Sequence, residues 1–287
     1  MNKRKILITG KESYIGTSFI RWLQKWPDNY SIDTLSVKDT LWKEKDFKEY
    51  DVVFHVAGIA HVKESKKNIN LYYEVNRDLA HEVAKKTKQD GVKQFIFLSS
   101  MSVYGNESGL IDKNTLVNPI SNYGKSKLQA EKMILPMENE NFKIAVLRPP
   151  MVYGKGCKGN YPKLVELVLK FDYFPNIKNQ RSMIHVDNLC EFVRHLVDYG
   201  DSGLYFPQNN EYVSTKDMVK LIAESYGKKV VLINFLNPII NILRKRNNII
   251  NKVFGNLVYE KEMSNYKKEY CVINFEESIN LTAWREK

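Results

Sequence analysis

Five short apolar runs punctuate the first half of this 287-residue chain: Lys5–Thr9, Ser31–Val37, Val52–Ala57, Gln94–Leu98 and Lys143–Leu147. Between several of them the apolar spacing turns helical, over Thr17–Lys25, Leu71–Gln89 and Tyr123–Met137. Strands separated by a helix's length of chain pair in parallel, with helices on both faces. Right-handed crossovers then make the expected class α/β, a doubly wound parallel sheet.

After Pro149 the alternation decays. Lys163–Phe171 reads as a helix and Met183–Val186 as a short strand. Asp187 is placed to cap a helix running to about Tyr199, and Ser214–Tyr226 is a second capped helix. The segment Val230–Tyr259 is apolar, with a basic knot at Arg244, Lys245 and Arg246. It fits an interfacial amphipathic helix or packing within a smaller lobe. Packing is preferred, because Asn237, Pro238 and Asn241 interrupt the pattern. The expected organisation is a dinucleotide-binding domain, 1–153 plus about 183–208, and a substrate-binding lobe, about 154–182 plus 209–287.

The first strand runs into ILITGKESYIG. Gly10 makes the turn and Gly16 opens a helix, the arrangement by which a Rossmann sheet brings backbone amides to a pyrophosphate. Ser13 stands where a middle glycine is usual, either widening the loop or offering its hydroxyl to a phosphate. Twenty positions beyond Gly16 an NAD site wants a carboxylate for the ribose. Ser36 stands there, followed by Lys38. A neutral hydroxyl and a cation suit a 2′-phosphate, so NADP(H) is favoured and NAD(H) is the alternative. Asp39 is the opposing residue, since a shifted register restores an acidic partner.

At the end of the fourth strand the chain reads FLSSMSVYG, and at Asn122–Lys127 it reads NYGKSK. Tyr123 and Lys127, four apart, share a helix face. An ammonium and a positively charged nicotinamide would draw a phenol from its ordinary value towards neutrality. Ser100 would then polarise the substrate oxygen that exchanges a proton with Tyr123, while the cofactor carries hydride.

Together these pieces resemble the extended short-chain dehydrogenases/reductases of the NAD(P)-dependent sugar-nucleotide epimerase/dehydratase group. The resemblance is carried by TGKESYIG, HVAG (His55–Gly58), VN (Val75–Asn76), SSMSVYG, YGKSK, LRPPMVYG (Leu147–Gly154) and RSMIHVDNL (Arg181–Leu189), in family order. It implies Tyr123 as general acid/base, Lys127 as its partner and ribose ligand, and Ser100 as the substrate's hydrogen-bonding partner. It implies Asn76 as support for the catalytic helix, and Gly10, Ser13, Tyr14, Ile15, Gly16, Ser36, Lys38, Ala57, Asn76 and Pro150 as cofactor contacts. Arg181 and Asn160 fall where the family contacts the nucleotide diphosphate, and an arginine fork suits phosphate oxygens. The family also implies a homodimer through the helices Leu71–Gln89 and Tyr123–Met137. The KGNYPKL region and the tail VFGNLVYEK resemble a subgroup from bacterial surface-polysaccharide pathways. That subgroup includes reductases of UDP-4-keto-6-deoxy-N-acetylhexosamines and proteins labelled UDP-glucose 4-epimerases.

Composition narrows the rest. With 43% hydrophobic residues the chain builds a core, which excludes a disordered or fibrous class. The net charge of +11 attracts anions, although a lysine-rich solvated surface explains most of it. No helix-turn-helix, zinc-finger or RNA-binding aromatic signature points to nucleic acid. Cys157, Cys190 and Cys271 are far apart and form neither a disulfide framework nor a metal site. No apolar run reaches the ~18 residues of a membrane span, and the N-terminal run is too short for a signal peptide. A reducing, cytoplasmic setting is therefore expected. Three activities fit: an NADPH-dependent 4-ketoreductase acting on a UDP-sugar, a UDP-hexose 4-epimerase holding NAD, and a non-enzymatic NADP-binding regulator. A dehydratase fits less well, because Met101 and not an Asp–Glu pair follows Ser100.

Overall fold

Ile6, Leu7 and Ile8 are wholly buried at consecutive positions of the strand Arg4–Thr9, which happens only when both faces of a sheet are covered. The computed structural model describes residues 3–60, 64–65, 68–244 and 246–283. Six strands form one parallel sheet, in the spatial order Gly203–Tyr205, Lys143–Leu147, Gln94–Leu98, Val52–His55, Arg4–Thr9, Tyr30–Leu35. Ile6 is registered against Ile32 on one side and Val52 on the other. From the first strand the chain goes one way to the second and then crosses back to the third. The switch point therefore lies between the carboxyl ends of Arg4–Thr9 and Val52–His55, where such sheets hold ligands.

One face is packed by Leu7, Val53, Phe95 and Ile144 against Val83, Ala84, Ala130 and Ile134 from two helical segments. On the helix Tyr14–Leu23, Phe19 meets Phe54 edge-on, with ring centroids 5.3 Å apart. The doubly wound sheet is as expected. The strand Gly203–Tyr205 was not anticipated: three residues carry too little pattern to read.

Several boundaries move for local reasons. The first helix starts at Tyr14, three residues early, because Ser13 caps it: its Oγ accepts from the Gly16 amide at 3.0 Å. The expected helix Leu71–Gln89 is α-helical over Ile69–Tyr73 and Ala80–Gln89, with a π-helical turn at Glu74–Leu79. Asp187 is no cap; it lies inside the first turn of Val186–Tyr199, where its charge still suits the helix dipole. Ser214 stands at the N-cap of Thr215–Ser225, but its side chain makes no capping bond.

The chain divides into two compact units. The first comprises residues 1–105, 117–149 and 189–207, and the second residues 106–116, 150–188 and 208–287. The second contains three two-stranded parallel pairs: Met151–Tyr153 with Met183–His185, Tyr173–Pro175 with Val231–Ile233, and Gly109–Ile111 with Leu257–Tyr259. Helices Asn160–Lys170, Thr215–Ser225 and Phe275–Ala283 accompany them. Among the described residues, no helix is long and apolar enough to cross a membrane.

Candidate active site

The helix Asn122–Ile134 carries Tyr123 and Lys127 and is capped by Ser121, whose Oγ accepts from the Gly124 amide at 3.1 Å. Gly124 is needed for its contact. A Cβ there would stand 2.4 Å from the carbonyl oxygen of Ser102, so only glycine lets this helix approach the Ser100–Tyr104 turn. Ser100 ends an extended stretch directly after the fourth strand. Its Oγ accepts from the Ser102 amide at 3.1 Å and donates to the Ser102 hydroxyl at 3.2 Å.

Burial pushes the Tyr123 phenol above its ordinary value, and a hydrogen bond with Ser100 offsets part of that rise. Desolvation penalises the phenolate directly, the sense opposite to the pull expected from Lys127 and a bound nicotinamide together. Lys127 is only 4% exposed. Its ammonium donates to the Leu98 carbonyl at 2.7 Å and lies 4.8 Å from the Phe97 ring centroid. Burial lowers it to about 8, against a smaller upward pull from Glu131.

Asn76 is fully buried within the π-helical turn. Its amide donates to the Ile59 carbonyl at 3.1 Å and to Ser126 Oγ at 3.2 Å, and its oxygen accepts from the Ile59 amide at 2.7 Å. One side chain thus ties the loop after the third strand to the catalytic helix. His55, in the same HVAG stretch, is no acid–base candidate. It is stacked near Phe95 and Phe97, bonds Thr9 at 2.7 Å, and burial with the nearby Lys127 charge lowers it to about 3.

Sequence reasoning missed Glu131 and Arg148. Glu131 is one helical turn beyond Lys127 and 1% exposed. It accepts from Arg148 Nη2 at 2.6 Å, from Arg148 Nε at 3.1 Å and from the Ser99 hydroxyl. Arg148 also donates to the Tyr104 hydroxyl at 3.0 Å. This buried network joins the strand end that carries Ser100 to the helix that carries Tyr123. The spacing Tyr123–Lys127–Glu131 was a signal that the same face continues inward.

At the switch point, Gly10 has φ +98°, and a Cβ on it would stand 2.8 Å from the Ala57 amide nitrogen. The loop therefore lies against the end of the third strand, and a helix N-terminus follows immediately. This cradle fits a dinucleotide pyrophosphate. Ser13 caps the helix that follows. Ser36 follows the last residue of the second strand, and its Oγ accepts weakly from the Lys38 amide at 3.4 Å. Lys38 pairs with Glu12 at 2.7 Å, both side chains being largely exposed. Asp39 accepts from the Leu41 amide at 3.0 Å, a local turn bond.

In the second unit, Arg181 is partly buried and donates to the Gly255 carbonyl at 3.2 Å. No carboxylate pairs with it among the described residues, and burial lowers it to about 10. Such a desolvated cation is prepared for an anion. Asn160 is exposed at the first position of its helix, after Gly159, and Pro150 is buried. Among the described residues, no cluster of His, Cys, Asp or Glu has the geometry of a metal site.

The family model described as the NAD dependent epimerase/dehydratase family matches residues 6–205. A UDP-glucose 4-epimerase from Vibrio cholerae is 30% identical over 239 residues, 77% of this chain and 71% of that protein. An N-acetyl-alpha-D-glucosaminyl-diphospho-ditrans,octacis-undecaprenol 4-epimerase from Escherichia coli O157:H7 is 25% identical over 82% of this chain and 76% of that protein. The solved structure of UDP-glucuronic acid 4-epimerase from Bacillus cereus, in complex with NAD, shares the fold with a TM-score of 0.76. It is 18% identical and covers 97% of this chain and 95% of that one. Because the family model matches more than half of this chain, the chain belongs to the NAD dependent epimerase/dehydratase family, among the extended short-chain dehydrogenases/reductases.

Proposed function

We propose that the protein is an NADPH-dependent 4-ketoreductase acting on a UDP-4-keto-6-deoxy-N-acetylhexosamine in surface-polysaccharide biosynthesis. The feature that carries this reading is the neutral hydroxyl of Ser36 with Lys38 nearby at the end of the second strand, a pair that suits a 2′-phosphate. Tyr123, hydrogen-bonded with Ser100, is the group that would donate a proton to the ketone oxygen. Gly10, Ser13, Tyr14, Ile15, Gly16, Ala57, Asn76, Lys127 and Pro150 would hold the dinucleotide, with Ser36 and Lys38 at its ribose. When bound, the nicotinamide supplies the hydride. Ser100 orients the ketone, Tyr123 gives the proton, and Lys127 holds positive charge beneath them. Arg181 and Asn160 take the UDP diphosphate. The same reading includes a homodimer across the two helices of the first unit, on which Leu71 and Met133 stand exposed.

Incubation with NADPH and a UDP-4-keto-6-deoxy sugar tests it, with UDP-glucose and UDP-GlcNAc in parallel. Loss of the reduced-nicotinamide absorbance supports reduction. Product from UDP-glucose without added cofactor overturns it in favour of a 4-epimerase retaining NAD. The V. cholerae relative and the carboxylate of Glu12 beside Lys38 favour that second reading. A non-enzymatic regulator is disfavoured by the intact Ser100, Tyr123 and Lys127.

Three expectations follow from the assigned roles. Activity should fall on the alkaline side with a midpoint near 8, where Lys127 loses its charge, since Tyr123 stays protonated well beyond that. A pH profile of Lys127→Arg should push that limb upward, because guanidinium keeps its charge. Arg181→Ala should weaken UDP-sugar binding by roughly 1.5–3 kcal/mol while leaving dinucleotide affinity unchanged, as calorimetry with each ligand will show. Equal loss of both would place Arg181 elsewhere.

Ser36→Asp probes the cofactor. An exposed pair such as Lys38–Glu12 contributes little, so a doubly charged phosphate competes well for Lys38. A carboxylate at position 36 would repel that phosphate by on the order of 1–4 kcal/mol and offer NAD a ribose partner. NADPH binding should weaken and NADH binding improve, most clearly at low salt. Unchanged preference in the variant would contradict the assignment.

A further inference from the structure

From position 225 to position 259 the chain contains no Asp or Glu and six cations: Lys228, Lys229, Arg244, Lys245, Arg246 and Lys252. In the same stretch several apolar side chains of the second unit stand in solvent. The helix Asn237–Leu243 has no buried residue. Ile239, Ile242 and Leu243 share one face by spacing and are 53%, 59% and 40% exposed. Leu236, Ile240 and Arg244 form the half-buried opposite face, and Arg244 donates to the Phe254 carbonyl at 3.4 Å. Phe235, just before the helix, is 73% exposed. Packing in the smaller lobe, preferred from the sequence, therefore accounts for the inner face of this helix and not for the outer one.

We infer that this segment is a docking surface for an anionic phospholipid bilayer. An exposed apolar face is costly in water and marks an interaction site. Apolar residues that project beside basic residues match the headgroup boundary, where acyl chains accept the first and lipid phosphates the second. Charge decides between occupants. Two copies meeting across a two-fold axis on this patch would set its cations against themselves, with no acidic residue of the segment to compensate. An anionic bilayer presents the opposite sign. Phe235, Ile239 and Ile242 would enter at headgroup depth, with Arg246 and Lys252 facing the phosphates. The chain would thus lie on the surface, and among the described residues no helix is long and apolar enough to cross.

Co-sedimentation of the full chain with two vesicle preparations tests this: phosphatidylcholine alone, and phosphatidylcholine with phosphatidylglycerol in equal parts. The wild type should partition at least about tenfold more strongly onto the anionic vesicles, and added salt should weaken it. Phe235→Ser with Ile239→Ser and Ile242→Ser should lose about tenfold or more of that binding, with the far-ultraviolet spectrum unchanged. If that variant misfolds, Arg246→Glu with Lys252→Glu serves instead and should abolish the preference for anionic vesicles. Equal partitioning onto both preparations, or none, overturns the proposal. So does an oligomer that the serine variant dissociates, which would assign the face to a second copy. Binding to single-stranded RNA without binding to vesicles would assign it to nucleic acid and would equally overturn it.

Discussion

Tyr123→Phe should lose about 100- to 10,000-fold of its turnover and still bind the dinucleotide, because the ring stays and only the proton donor goes. Burial raises the phenol above its ordinary value, and a hydrogen bond with Ser100 offsets part of that rise. Steady-state turnover and cofactor titration on the same preparation separate the two effects. Near-normal turnover would remove Tyr123 from the mechanism. Loss of cofactor binding in step with turnover would make its role one of positioning.

The largest effect on stability should come from Glu131→Ala. Glu131 is the carboxylate partner of Arg148, and both side chains are almost fully buried, at 1% and 8% exposure. A buried pair adds little net stability over an apolar core, but removing one partner strands the other charge. The expected cost is about 3–5 kcal/mol by urea unfolding. Arg148→Met in the same chain should recover much of it, because the stranded guanidinium is gone. A loss below ~1 kcal/mol in the single variant would show that water or another group already serves Arg148. Activity should fall as well, since the pair joins the Ser99–Ser100 strand end to the catalytic helix.

The parts of this site that depend on near neighbours were legible in the sequence. A glycine loop after a β-branched run, and a Tyr and Lys four apart following SSMSVYG, each carry their own geometry. What was not legible depends on partners far along the chain. Glu131 was visible one turn past Lys127, but Arg148 is brought to it by the pairing of the fourth and fifth strands, which spacing alone does not report. The need for glycine at position 124 is equally non-local, since the obstructing atom is a carbonyl of the Ser100 turn. Ser13 has a further role that the missing middle glycine did not suggest: its oxygen accepts from the Gly16 amide and closes the helix end. Burial is equally non-local, since spacing shows which charge is near but not how much water has been removed.

Hydride delivery from an exchangeable reduced cofactor to C4 is tested most directly with NADPH carrying deuterium at the transferable position and a UDP-4-keto-6-deoxy-N-acetylhexosamine as substrate. The product should carry one deuterium at C4 for each NADPH oxidised. Turnover of UDP-glucose or UDP-GlcNAc to its C4 epimer, with no deuterium incorporated and no NADPH consumed, would contradict the account and identify an epimerase.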